Sequence, residues 1–236
     1  SNAFAHQDLS SEEDGIVIEI FKNRVEITNS GKPVLDQLHF LDGAPTIKNK
    51  RVFTEMKNLG LVDGQGYGWR KIVKELESRS LPAPEIMIRK NSITVTIWFE
   101  KPLKLLSLDQ RNWTVYLHTV LRYLLNEPAN NASLRQRLNL PESKSSTVSK
   151  LFRQAAEGGL VKPFDKHSSN KTKKYLPAWS QASSRIPVKT KDYDKLKLEE
   201  EKTNNSQNSL SNKAFIGQED DQLIQKARQR LKELGI

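Results

Sequence analysis

Hydrophobic and polar residues alternate along the first hundred residues with the period of two that is typical of β-strands. The alternation occurs in two pairs of segments, which are residues 16–21 with 24–28 and residues 85–89 with 92–100. The first pair predicts a hairpin whose core-facing residues are Ile16, Ile18, Ile20, Val25 and Ile27. Helical patterns lie between the hairpins at 49–59 and from Trp69 to Leu76. We therefore expect an α+β domain over residues 1–102.

The apolar spacing changes to the helical period of 3.6 after Pro102. Three amphipathic segments follow. Asn131 is the predicted N-cap of the second, and the third begins near Ser145. Two short apolar segments, at 160–161 and 175–176, then flank a polar tip rich in lysine. This order of elements predicts a winged helix-turn-helix domain over residues 103–180.

The remaining residues differ in composition from both predicted domains. Ser, Asn, Lys and Glu predominate between 181 and 218, so we expect a flexible linker there. Residues 219–236 recover helical spacing and predict a C-terminal amphipathic helix. That helix needs an apolar surface on which to dock. Its own first domain is one candidate, and a second copy of the chain, which would give a homodimer, is another.

The positive charge of the chain is concentrated in the predicted winged helix. Residues 103–180 contain 13 Lys and Arg against 5 Asp and Glu, which supplies +8 of the net charge of +10. Residues 1–102 contain 14 charges of each sign and are neutral overall. A basic surface confined to one domain favours a polyanionic partner, and a winged helix makes duplex DNA the expected one.

The third helix of this domain places hydroxyl, amide and cationic side chains opposite its apolar face, and the hairpin tip adds lysines that can neutralise phosphates. The candidate DNA-binding residues are Lys144, Ser146, Thr147, Lys150, Arg153, Gln154, Lys171, Lys173 and Lys174. An ordinary solvated helix face and a protein-docking surface are the alternatives for the same residues.

Other chemistry is sparse in the sequence. The glycines Gly64, Gly66 and Gly68 precede a helix and would suit a phosphate cradle, but they also suit a flexible turn, and neither nucleotide-binding fingerprint is complete. The four histidines lack metal-ligand spacing, so no metal site is predicted. The chain has no cysteine and no apolar run of about 20 residues, which favours a reducing cytoplasm. No catalytic motif is recognisable.

Several ordered motifs resemble the C-terminal half of a family of bacterial transcriptional regulators. These relatives are also described as RecG-like helicase C-terminal or AlbA/Schlafen-like ATP-binding proteins. The motifs are FAHQDLS at 4–10, IEIFKNRVEITN at 18–29 with GKP at 31–33, GLVDGQGYG at 60–68, LPAP at 81–84, NASLRQR at 131–137 and YLPAW at 175–179. Because Ser1-Asn2-Ala3 has the appearance of a cloning remnant, we expect the native chain to extend upstream of Phe4.

The resemblance implies a partial GHKL-like ATPase-type α/β sandwich domain followed by a winged helix. By position, it makes residues 4–8 the end of the helix that bears the nucleotide-site asparagine. It also implies a first glycine loop at Asn29 and Gly31, and a second at Gly64, Gly66 and Gly68. ATP and Mg²⁺ are then the expected cofactors of the full-length protein. No helicase motor motif and no complete ATPase motif are present, so we expect a DNA-binding regulator rather than an enzyme. The alternatives are an ATP-binding switch or ATPase module, and a protein-interaction or dimerisation module.

Overall fold

The computed structural model describes residues 2–10, 15–31, 36–43, 47–62, 67–165, 167–169 and 173–181. These residues belong to one unit, Ser1–Ile186. The predicted linker at 181–218, apart from its first residue, and the predicted helix at 219–236 lie outside the described residues.

The first half of this unit is built on a four-stranded antiparallel sheet. Its strands, in the order β1-β2-β4-β3, are β1 (Val17–Ile20), β2 (Arg24–Ser30), β3 (Glu85–Ile88) and β4 (Ser92–Trp98). The accompanying helices are α1 (Asn2–His6), α2 (Lys50–Asn58) and α3 (Gly68–Ser78), with a 3-10 turn at Gln37–His39. The register places Ile27 opposite both Ile18 and Val95, so the apolar residues of neighbouring strands share one face. The α+β class predicted for this half is confirmed.

The prediction that Ile18 and Ile20 of β1 face the core is wrong. Ile18 is 59% exposed and Ile20 is 79% exposed, whereas Val25 and Ile27 on β2 are half-buried. The reason is that β1 is an edge strand, so it is paired on one side only. Period-two alternation identifies the two faces of a strand but not how far a neighbouring layer covers them.

The second half combines three helices with a three-stranded antiparallel sheet. Its elements in chain order are α4 (Leu108–Leu124), β5 (Ala129–Asn130), α5 (Asn131–Arg137), α6 (Ser145–Glu157), β6 (Val161–Pro163) and β7 (Lys174–Pro177), and the strand order is β5-β7-β6. Short 3-10 turns occur at Leu103–Leu105 and Glu142–Lys144. The apolar stripe predicted for α6 is buried in the core: Val148, Leu151, Phe152 and Ala155.

The N-cap of α5 lies one residue earlier than predicted. The side chain of Asn130 accepts a hydrogen bond from the Ser133 amide, and the Ser133 hydroxyl accepts one from the Asn130 amide, which forms a capping box. Asn131 does not cap α5. Its Nδ2 donates instead to Ser145 O at 2.8 Å and to Ser149 Oγ at 3.0 Å. Asn131 therefore ties the start of α5 to α6.

Residues from both halves fill one buried cluster. Leu41, Val73 and Ala83 from the first half pack with the buried residues of α4 and α6. Trp113 Nε1 donates to Pro84 O at 2.9 Å, and the Tyr116 hydroxyl donates to Leu38 O. The sheet-bearing half and the helical half are thus joined across the predicted boundary at residue 102. Within the part of the chain described here, no helix is both long enough and apolar enough to cross a bilayer.

Candidate functional site

The outward face of α6 carries most of the candidate DNA-binding residues. Since α6 buries its apolar stripe, its remaining side chains face solvent. The exposed residues at or near its N-terminus and along its outer face are Lys144, Ser146, Thr147, Lys150 and Arg153, and Gln154 is half-buried. Three cations, two hydroxyls and an amide therefore lie along one helix.

Three lysines of the β6–β7 hairpin lie among the described residues, and they differ in exposure. Lys174 is exposed and Lys173 is half-buried, whereas Lys171 lies outside the described residues. Lys162 is not directed to solvent as the lysine-rich pattern suggests, because its Nζ donates to Ala178 O at 3.0 Å and to Ser180 O. That ammonium satisfies the backbone carbonyls that follow β7.

The hairpin is held firmly against α6. The rings of Phe152 on α6 and Tyr175 on β7 stack in parallel, with centroids 4.1 Å apart and planes 4° apart. Between the two elements lies a cleft of about 160 Å³, which also reaches the start of α5. Arg153 from the helix and Lys173 from the hairpin both line this cleft.

Two of the segments implied in nucleotide binding, residues 4–8 and Asn29 with Gly31, lie next to each other. This glycine has φ of 109°, and a Cβ there would meet the Asp8 side chain at 3.3 Å and Lys48 Nζ at 3.5 Å. Lys48 Nζ lies 2.8 Å from the Asp8 carboxylate. The hydrogen bonds from Lys48 and Ser10 lower the pKa of Asp8 to about 2, so that carboxylate is ionised at neutral pH. Because of this positive φ and these close neighbours, only glycine fits at this point without strain.

The other described residues of the implied glycine loops are Asn29, which is buried, and Gly68, which is exposed. Asn29 is 7% exposed, and its Nδ2 donates to Ser30 O at 3.3 Å. Gly68 is the first residue of α3, whereas Gly64 and Gly66 lie outside the described residues. Sequence reasoning missed Asn49, whose Nδ2 donates to Phe4 O and Gln7 O and so fixes the end of α1 beside Gly31.

A buried charged cluster connects the two halves and was not predicted at all. Glu77, at the end of α3, accepts hydrogen bonds at Oε1 from His118 Nδ1 at 2.8 Å and from Arg122 at 3.0 Å. Arg137 Nε lies 3.6 Å from the other carboxylate oxygen, and its guanidinium also donates to Leu81 O at 2.5 Å. His118 is 1% exposed, Arg137 is 5% exposed and Glu77 is 7% exposed, so the cluster is shielded from water. His118 Nε2 meets Ser133 Oγ at 2.9 Å, which extends the network to the capping box of α5.

The protonation states within this cluster follow from burial and charge. Burial lowers the pKa of His118 despite the neighbouring carboxylate, so its imidazole is neutral at neutral pH. Burial alone would raise the pKa of Glu77, but His118, Arg137 and Arg122 together outweigh it and the pKa is lowered. Since His118 is neutral, the two arginines supply the positive charge that keeps Glu77 ionised.

We expect the free energy of unfolding to fall as the pH drops below about 6.5, the pKa of an unperturbed histidine. The folded pKa of His118 is lower than that value, so the unfolded chain takes up a proton first. The slope should approach about 1.4 kcal/mol per pH unit for one such group. Urea unfolding at pH 7.5, 6.5 and 5.5 measures it. Burial lowers the pKa of His6 too, so the His6→Gln variant is the control that shows how much of the slope comes from His6 rather than from His118. An unchanged slope in His118→Gln would contradict this assignment.

No group of three or more His, Cys, Asp or Glu side chains that could hold a metal ion occurs among the residues that the structure describes.

Comparisons with known proteins bear mainly on the first half. The DIP2311 protein from Corynebacterium diphtheriae has a solved structure that matches this chain with 18% identity and a TM-score of 0.41. The match covers 75% of this chain and 37% of that one, so the chain spans little more than a third of that protein. No curated protein matches the chain. Residues 13–97 match the family described as "Putative ATP-dependent DNA helicase recG C-terminal". Over β1–β4, α2 and α3, the chain is therefore similar to the ATPase-type C-terminal domain of this RecG-like family.

Proposed function

We propose that the protein is a DNA-binding transcriptional regulator whose second half is a winged helix-turn-helix. The order helix, strand, helix, helix, strand, strand in α4-β5-α5-α6-β6-β7 supports this, because it places a helix-turn-helix directly before a β-hairpin wing. In this arrangement α5 and α6 form the helix-turn-helix, and α6 is the helix that enters the major groove.

The exposed cations of α6 and β7 are the observation that carries the proposal. Lys150 and Arg153 would approach the groove together with Gln154, while Ser146 and Thr147 lie nearer the start of the helix. Lys144 and the hairpin lysines would contact backbone phosphates. A helix face that merely kept the protein soluble would not need its cations matched by others on the adjacent hairpin.

Fluorescence anisotropy on a generic duplex at 50 mM and 200 mM salt tests this proposal. With about four phosphate contacts, we expect the affinity to fall by roughly two orders of magnitude between these conditions, because each contact releases about 0.9 counterion. Equal affinity at both salt concentrations, or no binding at either, would contradict a DNA-binding role.

The second candidate function is nucleotide binding by the ATPase-type half, which the family match at 13–97 favours. The Lys48 ammonium beside Gly31 is a feature that a phosphate-bearing ligand could use in exchange for its 2.8 Å ion pair with Asp8. Gly31 and Lys48 would contact the phosphates of such a nucleotide. The negative charge of the bound phosphates would then be the signal to which an ATP-binding switch responds.

Calorimetry with Mg-ATP tests nucleotide binding separately. We expect Lys48→Gln to weaken any binding about tenfold or more, because it removes the cation nearest Gly31. Lys50→Gln is the matched control, since Lys50 carries the same charge two residues away at the start of α2. Equal heats for both variants would exclude Gly31 and Lys48 as the site.

A further inference from the structure

We propose that the cleft between α6 and the β6–β7 hairpin is a phosphate site that holds a single phosphodiester of bound DNA between Arg153 and Lys173. This inference rests on the proposed function and refines it, because it assigns Arg153 to a backbone phosphate rather than to a base edge. It replaces a diffuse basic surface with one defined contact, at which two cations share one ligand.

The composition of the cleft favours an anion. Arg153 lines it from the helix and Lys173 from the hairpin, and none of the described residues that line it is acidic. The Tyr175 hydroxyl group keeps its proton at neutral pH, since an ordinary tyrosine has a pKa of about 10 and burial raises the pKa of this one. Its hydroxyl is therefore an available donor.

The side-chain amide of Asn131, at the base of the cleft, already makes all of its hydrogen bonds within the protein. Asn131 Nδ2 donates to Ser145 O and Ser149 Oγ, and its Oδ1 accepts from Arg135 Nε at 3.0 Å and from Ser145 Oγ at 3.1 Å. The amide of Asn131 thus has no group left for a ligand. The two cations, the Tyr175 hydroxyl and the Ser149 hydroxyl, which accepts from Asn131 but can still donate, remain as the groups able to bind one.

The size of the cleft limits what it can hold. A volume of about 160 Å³ corresponds to roughly five waters. That is below the roughly 300 Å³ at which small-molecule sites begin, so a regulatory metabolite is a poor fit. A phosphodiester group is small enough, and its two unesterified oxygens can be shared between a guanidinium and an ammonium.

The walls of the cleft are fixed before any ligand arrives. The stack of Phe152 on Tyr175 holds the hairpin to α6, and Asn131 holds α5 to the same helix. Because Arg153 lies on α6 and Lys173 directly precedes β7, which packs on α6, little backbone ordering is needed on binding. The phosphate would lie beside the exposed face of α6, where the strand backbone must pass if that face enters the groove.

A double-mutant cycle on the full chain tests the shared site. Arg153→Gln and Lys173→Gln should each weaken duplex binding about tenfold, and the double variant should lose far less than the hundredfold product, because both cations serve one phosphate. The salt slope of the double variant should fall by about 0.9 rather than about 1.8. Arg153→Gln with Lys144→Gln is the control pair. The two residues lie roughly 13 Å apart at 1.5 Å per residue, so their losses should multiply.

Each outcome of the cycle decides the proposal. Multiplicative losses for Arg153 and Lys173 would overturn the shared site while leaving DNA binding intact. Absence of binding by the unmodified protein would overturn the proposed function and the phosphate site in the cleft together.

Tyr175→Phe keeps the ring stack and removes only the hydroxyl, so it should weaken binding severalfold at an unchanged salt slope. Thermal unfolding of every variant identifies any loss that is due to misfolding.

Discussion

Replacing Glu77 by Gln is expected to lower the free energy of unfolding by about 3 kcal/mol or more. The carboxylate is nearly inaccessible to water and is the acidic partner of Arg122 and Arg137. Removing its charge leaves Arg137, 5% exposed, without a counter-charge in a region of low dielectric. An isolated buried charge is strongly unfavourable even where the intact ion pair itself contributes little net stability.

Chemical denaturation with a matched surface variant measures this effect. Glu75→Gln lies on the same helix and breaks the pair with Arg79, in which both side chains are more than half exposed. That change should cost no more than about 0.5 kcal/mol. Losses of similar size in the two variants would show that the buried cluster is not a structural link between α3 and α4.

Neutralising three exposed lysines together is expected to weaken duplex binding by about a hundredfold at physiological salt. The variant is Lys144→Gln, Lys150→Gln and Lys174→Gln, and all three side chains are exposed on α6 or at the start of β7. Each lost phosphate contact should reduce the salt slope by about 0.9, which gives a fall of about 2.7 for the three. Folding should be unaffected, because none of the three side chains is buried.

A control variant of equal charge separates local contact from the effect of net charge. Lys57→Gln, Lys50→Gln and Lys104→Gln remove the same three charges from exposed positions outside α6 and the hairpin. We expect that triple variant to bind within about twofold of the unmodified protein, since distant charges are largely screened at physiological salt. Comparable losses in the two triple variants would place the DNA elsewhere on the surface.

The helices of the second half could be predicted because helical periodicity is a local property of the sequence. α6 begins at Ser145 as expected, and Val148 and Phe152 on its apolar stripe are buried. The exposure of Lys150 and Arg153 follows from the same spacing. Their contact with DNA remains a prediction, as does any contact made by Lys171, Gly64 or Gly66.

Interactions between distant parts of the chain could not be predicted. Glu77 and His118 are 41 residues apart, and neither residue has a sequence neighbour that suggests the pair. Composition alone cannot show that the Lys162 ammonium meets the backbone carbonyls beyond β7. The exposure of Ile20 has a similar origin, because strand order decides which strand lies at the edge of a sheet.

The buried cluster shared by the two halves has a thermodynamic consequence. Because Leu41, Val73 and Ala83 fill the same interior as α4 and α6, separating the halves would expose apolar surface on both of them. The halves should then melt in one cooperative transition. By mass action, whatever binds the folded form through one half raises the melting temperature of the other by the same linkage.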